Sequence, residues 1–170
     1  MIFLFVRWKS LAGCLLIGSL LSACSPFPQQ PHSNHNGSIS SQQNYADPRR
    51  VSIHQLAHQQ LGVRYKWGGT SPRTGFDCSG YTQYVYAKSG VNIPRTAAQQ
   101  RDASQGISRS QLQLGDLIFF KTGARSHHVG IYIGRGEFIQ AGSGSGRVKI
   151  ERLDNPYWKK RWVKYGTYLI

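Results

Sequence analysis

The spacing of apolar residues changes once along the chain, from a helical repeat to short strand-like runs. Between residues 48 and 100, apolar positions lie three or four residues apart in stretches bounded by helix-capping residues. After Leu112, runs rich in β-branched and aromatic residues alternate with glycine-rich turns. Helices followed by strands are typical of an α+β domain. We therefore predict N-terminal helices packed on a C-terminal antiparallel sheet.

The predicted helices and strands follow from local signals. An Asp or Thr that can cap a helix precedes each predicted helix, and a glycine ends the first two. The helices cover 48–61, then 77 or 78 to 89, and a short stretch after Thr96, which has Gln99 as its capping-box partner. The strands cover 116–121, 129–133, 138–141, 148–151 and 164–170.

One hairpin allows a sharper prediction. A three-residue loop over 134–136 would pair Ile133 with Glu137 and set apolar residues opposite apolar residues. The same register places Gln140 diagonal to His128 on one face, whereas a two-residue turn would place Gln140 among apolar side chains. The predicted apolar pairs are Val129 with Ala141 and Ile131 with Ile139.

The first part of the chain has the composition of an export signal and a linker. Two basic residues precede an apolar run, 11–21, that is too short to span about 30 Å of hydrocarbon, so a secretory signal fits better than a membrane anchor. The run from Leu21 to Cys24 resembles a bacterial lipobox, in which cleavage before the cysteine exposes a thiol for lipid attachment. We predict a signal peptide over 1–23 and a lipidated, flexible linker over 24–50. The alternative is an ordinary signal peptide that leaves Cys24 as a stray thiol.

Charge and length limit the class of protein. The 170 residues include 21 Lys and Arg against 7 Asp and Glu, yet only 16% are charged, so the charge of +14 reflects scarce acids rather than basic blocks. A histone-like nucleic-acid binder is therefore not expected. Cleavage after residue 23 would remove Arg7 and Lys9 and leave +12, which favours attraction to anionic envelope polymers. The remaining residues, 51–170, have the length of one domain.

The three cysteines point to one reactive thiol. Signal cleavage would remove Cys14 and lipidation would occupy Cys24, which leaves Cys78 unpaired in an exported protein. An oxidising compartment favours paired cysteines, so a solitary thiol suggests a nucleophile. A buried, unreactive cysteine is the other interpretation.

Cys78 lies at the start of a predicted helix, where unpaired N–H groups and the helix dipole favour a thiolate. The small Ser79 leaves room for a substrate, and Asp77 is either an N-cap or an acceptor for a substrate amine. His128 is the expected base, because His127 shares its strand face with apolar residues. Gln140 could fix the imidazole tautomer, or it could be a polar strand residue bonded to backbone or water.

The motif series resembles the NlpC-type family of cell-wall cysteine peptidases across 51–170. The matching segments are Tyr65 to Gly69, Phe76 to Gly80, Pro94 to Thr96, Gly115 to Phe120 and His128 to Tyr132. The resemblance implies a papain-like α+β fold and an endopeptidase that acts on peptidoglycan stem peptides. It makes Cys78 the nucleophile, His128 the base and Gln140 the orienting third residue, a position at which the family often has His and sometimes Asn or Gln. Tyr65 matches a tyrosine thought to help at the oxyanion site. The alternative is that the Tyr65 ring only packs on the helix.

Alternative functions use the same cleft. One is a non-catalytic wall-binding lipoprotein, and another is an amidase or acyltransferase with the same Cys–His pair. We expect no cofactor and no metal, since His54 and His58 lack a nearby third ligand and fit a solvent-facing helix. We also expect a monomer that binds no nucleic acid and contacts the membrane through its lipid. Ser25 in place of Asp after Cys24 favours the outer membrane, with the domain facing the periplasm.

Overall fold

The computed structural model describes residues 47–124 and 126–170. The predicted signal peptide, the lipidation site Cys24 and the linker up to residue 46 lie outside the described residues. The helices are α1 (Pro48–Gln59), α2 (Cys78–Lys88), α3 (Ala97–Ala103) and α4 (Pro156–Lys159). The strands are β1 (Thr70–Ser71), β2 (Gly75–Phe76), β3 (Gln105–Ile107), β4 (Leu117–Lys121), β5 (His127–Gly134), β6 (Glu137–Gly142), β7 (Arg147–Arg152) and β8 (Trp162–Thr167).

The architecture is α+β with an antiparallel sheet, as predicted. Six strands form the main sheet in the order β3-β8-β4-β5-β6-β7, and every neighbouring pair is antiparallel. The three predicted helices and five predicted strands are present. The small β1–β2 hairpin, strand β3 and the short helix α4 were not predicted, because none of them has enough residues to show a hydrophobic period.

The β5–β6 hairpin has a different turn from the predicted one. Ile131 pairs with Ile139 as expected, but Glu137 pairs with Gly134 rather than with Ile133, so the loop has two residues. Arg135 and Gly136 both have positive φ, the geometry that favours a tight hairpin. A register shift between Tyr132 and Gly134 absorbs the extra residue and keeps Gln140 on the face opposite to Ile139.

Apolar side chains cover both faces of the sheet. One core lies between the sheet and helices α1 and α2, and it includes Ile53, Tyr81, Val129, Ile131 and Ile139. The second core lies on the other side and is built from aromatic residues, among them Phe120, Phe138, Trp158 and Tyr165. Both faces are therefore packed near the point where β5 carries His128.

A buried ion pair holds α1 against the sheet. Arg50 donates to Asp116 Oδ1 at 2.8 Å and to the backbone oxygen of Leu114 at 2.9 Å. The Asp116 side chain is fully buried, so the arginine supplies the charge that the carboxylate requires. Within the described residues, no helix has the length and apolar character needed to cross a membrane.

Candidate active site

Cys78 is the first residue of α2, and Asp77 caps that helix. The Asp77 side chain accepts from the backbone N–H of Gly80 at 2.6 Å, which confirms the N-cap interpretation. A side chain at position 80 would collide with the backbone oxygen of Gly69, so only glycine allows the first turn of α2 to pack on that loop. The local sequence therefore sets the position of the thiol through a cap and a close backbone contact.

Asp77 and Ser79 belong to a hydrogen-bonded cluster with Arg95. Arg95 donates to Asp77 Oδ2 at 2.6 Å and to Ser79 Oγ at 3.0 Å, and Ser79 donates to Asp77 Oδ1 at 3.3 Å. The pKa of Asp77 is lowered: burial opposes ionisation, but the bonds from Arg95 and Gly80 outweigh it. Both carboxylate oxygens are thus engaged within the protein, and the cluster stiffens the loop before Cys78.

The pKa of the Cys78 thiol is raised, which is opposite to the prediction. Burial is the largest cause, and the nearby Asp77 carboxylate adds to it. Backbone N–H groups of Val129, Ser79 and Cys78 favour the thiolate, but they do not offset the burial. The resting cysteine is therefore a neutral thiol surrounded by donors that can stabilise negative charge.

Cys78, His128 and Gln140 line one cleft of about 330 Å³. Tyr65 and Trp158 contribute to the same cleft. Cys78 comes from the N-terminus of α2, His128 from the start of β5 and Gln140 from β6, so three separate elements meet here. The structure thus brings together the nucleophile, base and third residue that the sequence predicted.

The His128 imidazole lies against aromatic side chains. Its ring stacks on Trp158, with 5.3 Å between centroids and 23° between planes, and Phe120 lies 6.4 Å away. Burial lowers the pKa of His128 to about 4, although Gln140 and Glu151 act in the opposite direction. The imidazole is therefore neutral at pH 7 and able to accept a proton.

Gln140 is the polar neighbour of that imidazole. Among the described residues, His128 Nε2 and Gln140 Oε1 are the two buried side-chain polar atoms without a hydrogen-bond partner. A protonated Nε2 can donate and the amide Oε1 can accept, so the two groups are complementary. Gly142 makes this arrangement possible, since a Cβ there would lie 2.6 Å from Gln140 Oε1.

His127 points to different neighbours. Arg101 of α3 lies 3.1 Å from His127 Nδ1, on the helix side of the sheet. The contrast with the stacked His128 follows from the alternation of side chains along a strand. Within the part of the chain that the structure describes, no group of three or more His, Cys, Asp or Glu could hold a metal ion.

Comparison with known proteins identifies the family. The family described as NlpC/P60 matches residues 62–167. This chain belongs to the NlpC/P60 family. It is 45% identical over 120 residues to an Escherichia coli protein named murein DD-endopeptidase MepH, covering 67% of this chain and 44% of that protein. It is 44% identical over 102 residues to E. coli murein DD-endopeptidase MepS/murein LD-carboxypeptidase, covering 59% and 53%. The chain therefore spans about half the length of these curated relatives.

Solved NlpC/P60 structures share the fold. A Staphylococcus aureus protein described as similar to lipoprotein, of the NLP/P60 family, superposes with a TM-score of 0.67 at 36% identity, covering 77% of this chain and 45% of that one. RipB of Mycobacterium tuberculosis, described as a peptidoglycan hydrolase, gives a TM-score of 0.63 at 28% identity, covering 72% and 66%. The α+β architecture predicted from the motif series is thus that of the NlpC/P60 family.

Two residues of this NlpC/P60 site have roles that the sequence reasoning did not assign. Arg95 was noticed only as part of a motif, and its contact with Asp77 depends on the approach of two distant segments. Trp158 was assigned no role, but it is 7% exposed and stacks on His128. Asn155 followed by Pro156 could have indicated the short helix that carries it, since the pair repeats the cap-then-proline signal of α1.

Proposed function

We propose that the protein is a peptidoglycan endopeptidase that cleaves amide bonds in stem or cross-link peptides. The observation that carries the proposal is the single cleft in which Cys78, His128 and Gln140 meet. Its chemistry is that of acyl transfer, since it combines a nucleophile, a neutral base and a group that can orient the base. The names of the E. coli relatives, both murein DD-endopeptidases, support peptidoglycan as the substrate.

The first half of the reaction forms a thioester. His128 accepts the thiol proton as Cys78 Sγ attacks the carbonyl carbon, because both groups are neutral at rest. The backbone N–H groups of Val129, Ser79 and Cys78 lie near the sulfur. These N–H groups are available to stabilise the negative charge that develops as the sulfur attacks the carbonyl. The Tyr65 hydroxyl is a further donor at the same cleft. The imidazolium then protonates the leaving nitrogen, and the C–N bond breaks.

The second half regenerates the enzyme. The neutral imidazole removes a proton from water as the water oxygen attacks the thioester carbonyl. The C–S bond then breaks, which releases the carboxylic acid, and the imidazolium returns its proton to the Cys78 sulfur. Gln140 is placed to keep His128 in one tautomer through both halves, because its Oε1 can accept from the Nε2–H once the two atoms reach hydrogen-bond distance. Trp158 stacks on the same imidazole, and shielding by its indole would strengthen that bond.

The cell envelope is the proposed location, with the domain tethered by lipid on Cys24 at the outer membrane. The support is the lipobox-like run before Cys24 and the linker composition up to residue 50. Metabolic labelling with an alkyne-tagged palmitate in a bacterial host tests the anchor. Label on the wild type and none on Cys24→Ser is the expected result. Equal labelling of both would exclude Cys24 as the lipid site.

Digestion of purified muropeptides tests the activity. The wild type should convert cross-linked or stem peptides to products that are heavier by one water in total, and Cys78→Ala and His128→Ala should leave them intact. Mass spectrometry of the products also identifies the bond. Intact muropeptides with every variant would favour a wall-binding role, and acylated products would favour a transferase.

A further inference from the structure

Two oppositely charged side chains lie in the cleft beside the reacting groups. Lys149 and Glu151 both line it, and no other Lys, Arg, Asp or Glu of the described residues does so. The proposed reaction uses neither of them. Their presence in a cleft otherwise lined by aromatic, glycine, hydroxyl, amide and imidazole groups therefore needs a separate explanation.

The register of the sheet places this pair next to the base and its partner. Gln140 of β6 pairs directly with Lys149 of β7, and directly opposed side chains have Cβ atoms about 5 Å apart. Glu151 lies two residues further along β7, on the same face. Its charge reaches the imidazole, since it favours the protonated form of His128. The two charges thus flank the His128–Gln140 side of the cleft.

The lysine is the more exposed member of the pair. Lys149 Nζ lies 2.7 Å from Glu151 Oε1, and the side chains are 44% and 15% exposed respectively. An ammonium group has three N–H donors, and the carboxylate occupies one of them. Two donors of Lys149 remain for a ligand, while Glu151 limits the freedom of the long side chain.

We propose that Lys149, held by Glu151, binds a carboxylate of the substrate residue that supplies the leaving amine. The inference rests on the proposed function, because His128 must protonate that amine and the leaving residue must therefore lie on the His128 side. The class of substrate is a stem peptide whose leaving residue carries a free carboxylate, as diaminopimelate does. A charge-assisted hydrogen bond makes the free carboxylate a stronger acceptor than the corresponding amide.

Binding measurements with the inactive Cys78→Ala protein test this anchor without requiring turnover. Two probes are used, a cross-linked dimer of diaminopimelate stem peptides with free carboxylates and the same dimer with the diaminopimelate carboxylates amidated. Calorimetry should give about tenfold tighter binding of the free acid, the size expected for one partly exposed charged hydrogen bond. Adding Lys149→Met should abolish that preference, and adding Lys149→Arg should retain most of it.

A lysine outside the cleft provides the matched control. Lys160 is exposed and does not line the cleft, so Lys160→Met should leave the preference unchanged. The anchor is refuted if Cys78→Ala shows no preference for the free acid, or if Lys149→Met keeps it. It is also refuted if Lys149→Met weakens both probes equally, since that indicates only a structural cross-strand pair. Failure of the proposed function is separate: the wild type would cleave neither probe, whatever the binding preference.

Discussion

Acidification should destabilise this domain through His128, whose half-buried imidazole has a lowered pKa. The pKa of His128 is about 4 in the folded chain, against an ordinary value of 6.5. Between these two values the unfolded chain binds a proton that the folded chain does not. The unfolded state is therefore favoured progressively as pH falls from 6.5 towards 4, and below pH 4 no further loss comes from this residue.

The size of the effect follows from the two pKa values. A separation of this size corresponds to about 3 kcal/mol of folding free energy once the pH is below both values. At pH 5, which lies inside the window, the loss is about 2 kcal/mol relative to pH 7. His128→Asn removes the titrating group but keeps a polar side chain. Between pH 7 and pH 5 the variant should therefore lose about 2 kcal/mol less stability than the wild type.

Urea denaturation of both proteins at pH 7 and pH 5 measures this difference. Other titrating groups, such as His54, contribute equally to both proteins and cancel in the comparison. A direct check is the NMR titration of the His128 ring, which should have its midpoint near pH 4. If the wild type and His128→Asn lose the same stability between pH 7 and pH 5, the pKa of His128 is not lowered in the folded protein.

Three substitutions test the packing of the cleft, of the second core and of the ion pair that holds α1. Gly142→Ala places a Cβ 2.6 Å from Gln140 Oε1 and should lower kcat about tenfold at unchanged fold. Gly106→Ala, which does not line the cleft and whose Cβ would meet only Lys164 Cε at 3.5 Å, should leave kcat unchanged. Equal rates for the two alanine variants would contradict the orienting role of Gln140. Trp158→Ala removes a buried indole and should cost about 3–5 kcal/mol in urea denaturation; a loss below 1 kcal/mol would show that the second core is loosely packed. Asp116→Asn leaves a buried arginine without its counter-charge and should cost about 3 kcal/mol by the same measurement, whereas full stability would mean that water already screens the pair.

Local signals in the sequence were sufficient for the main elements and for the three residues that meet in the cleft. Caps and glycines predicted α1, α2 and α3 because the groups that end a helix are close in sequence. The requirement that apolar residues face each other brought Gln140 towards His128. The turn itself was mispredicted, because a bulge in β5 restores the same alternation with a two-residue loop.

The electrostatic state of the site depended on tertiary structure. A helix start favours a thiolate, but the burial of Cys78 and the position of Asp77 reverse that preference, and both arise from packing between distant segments. The stacking of Trp158 on His128 likewise depends on a four-residue helix near the end of the chain. The sequence alone was sufficient to predict which residues meet in the cleft and in what order the elements come. The tertiary structure decided their protonation, because burial is a property of the whole fold.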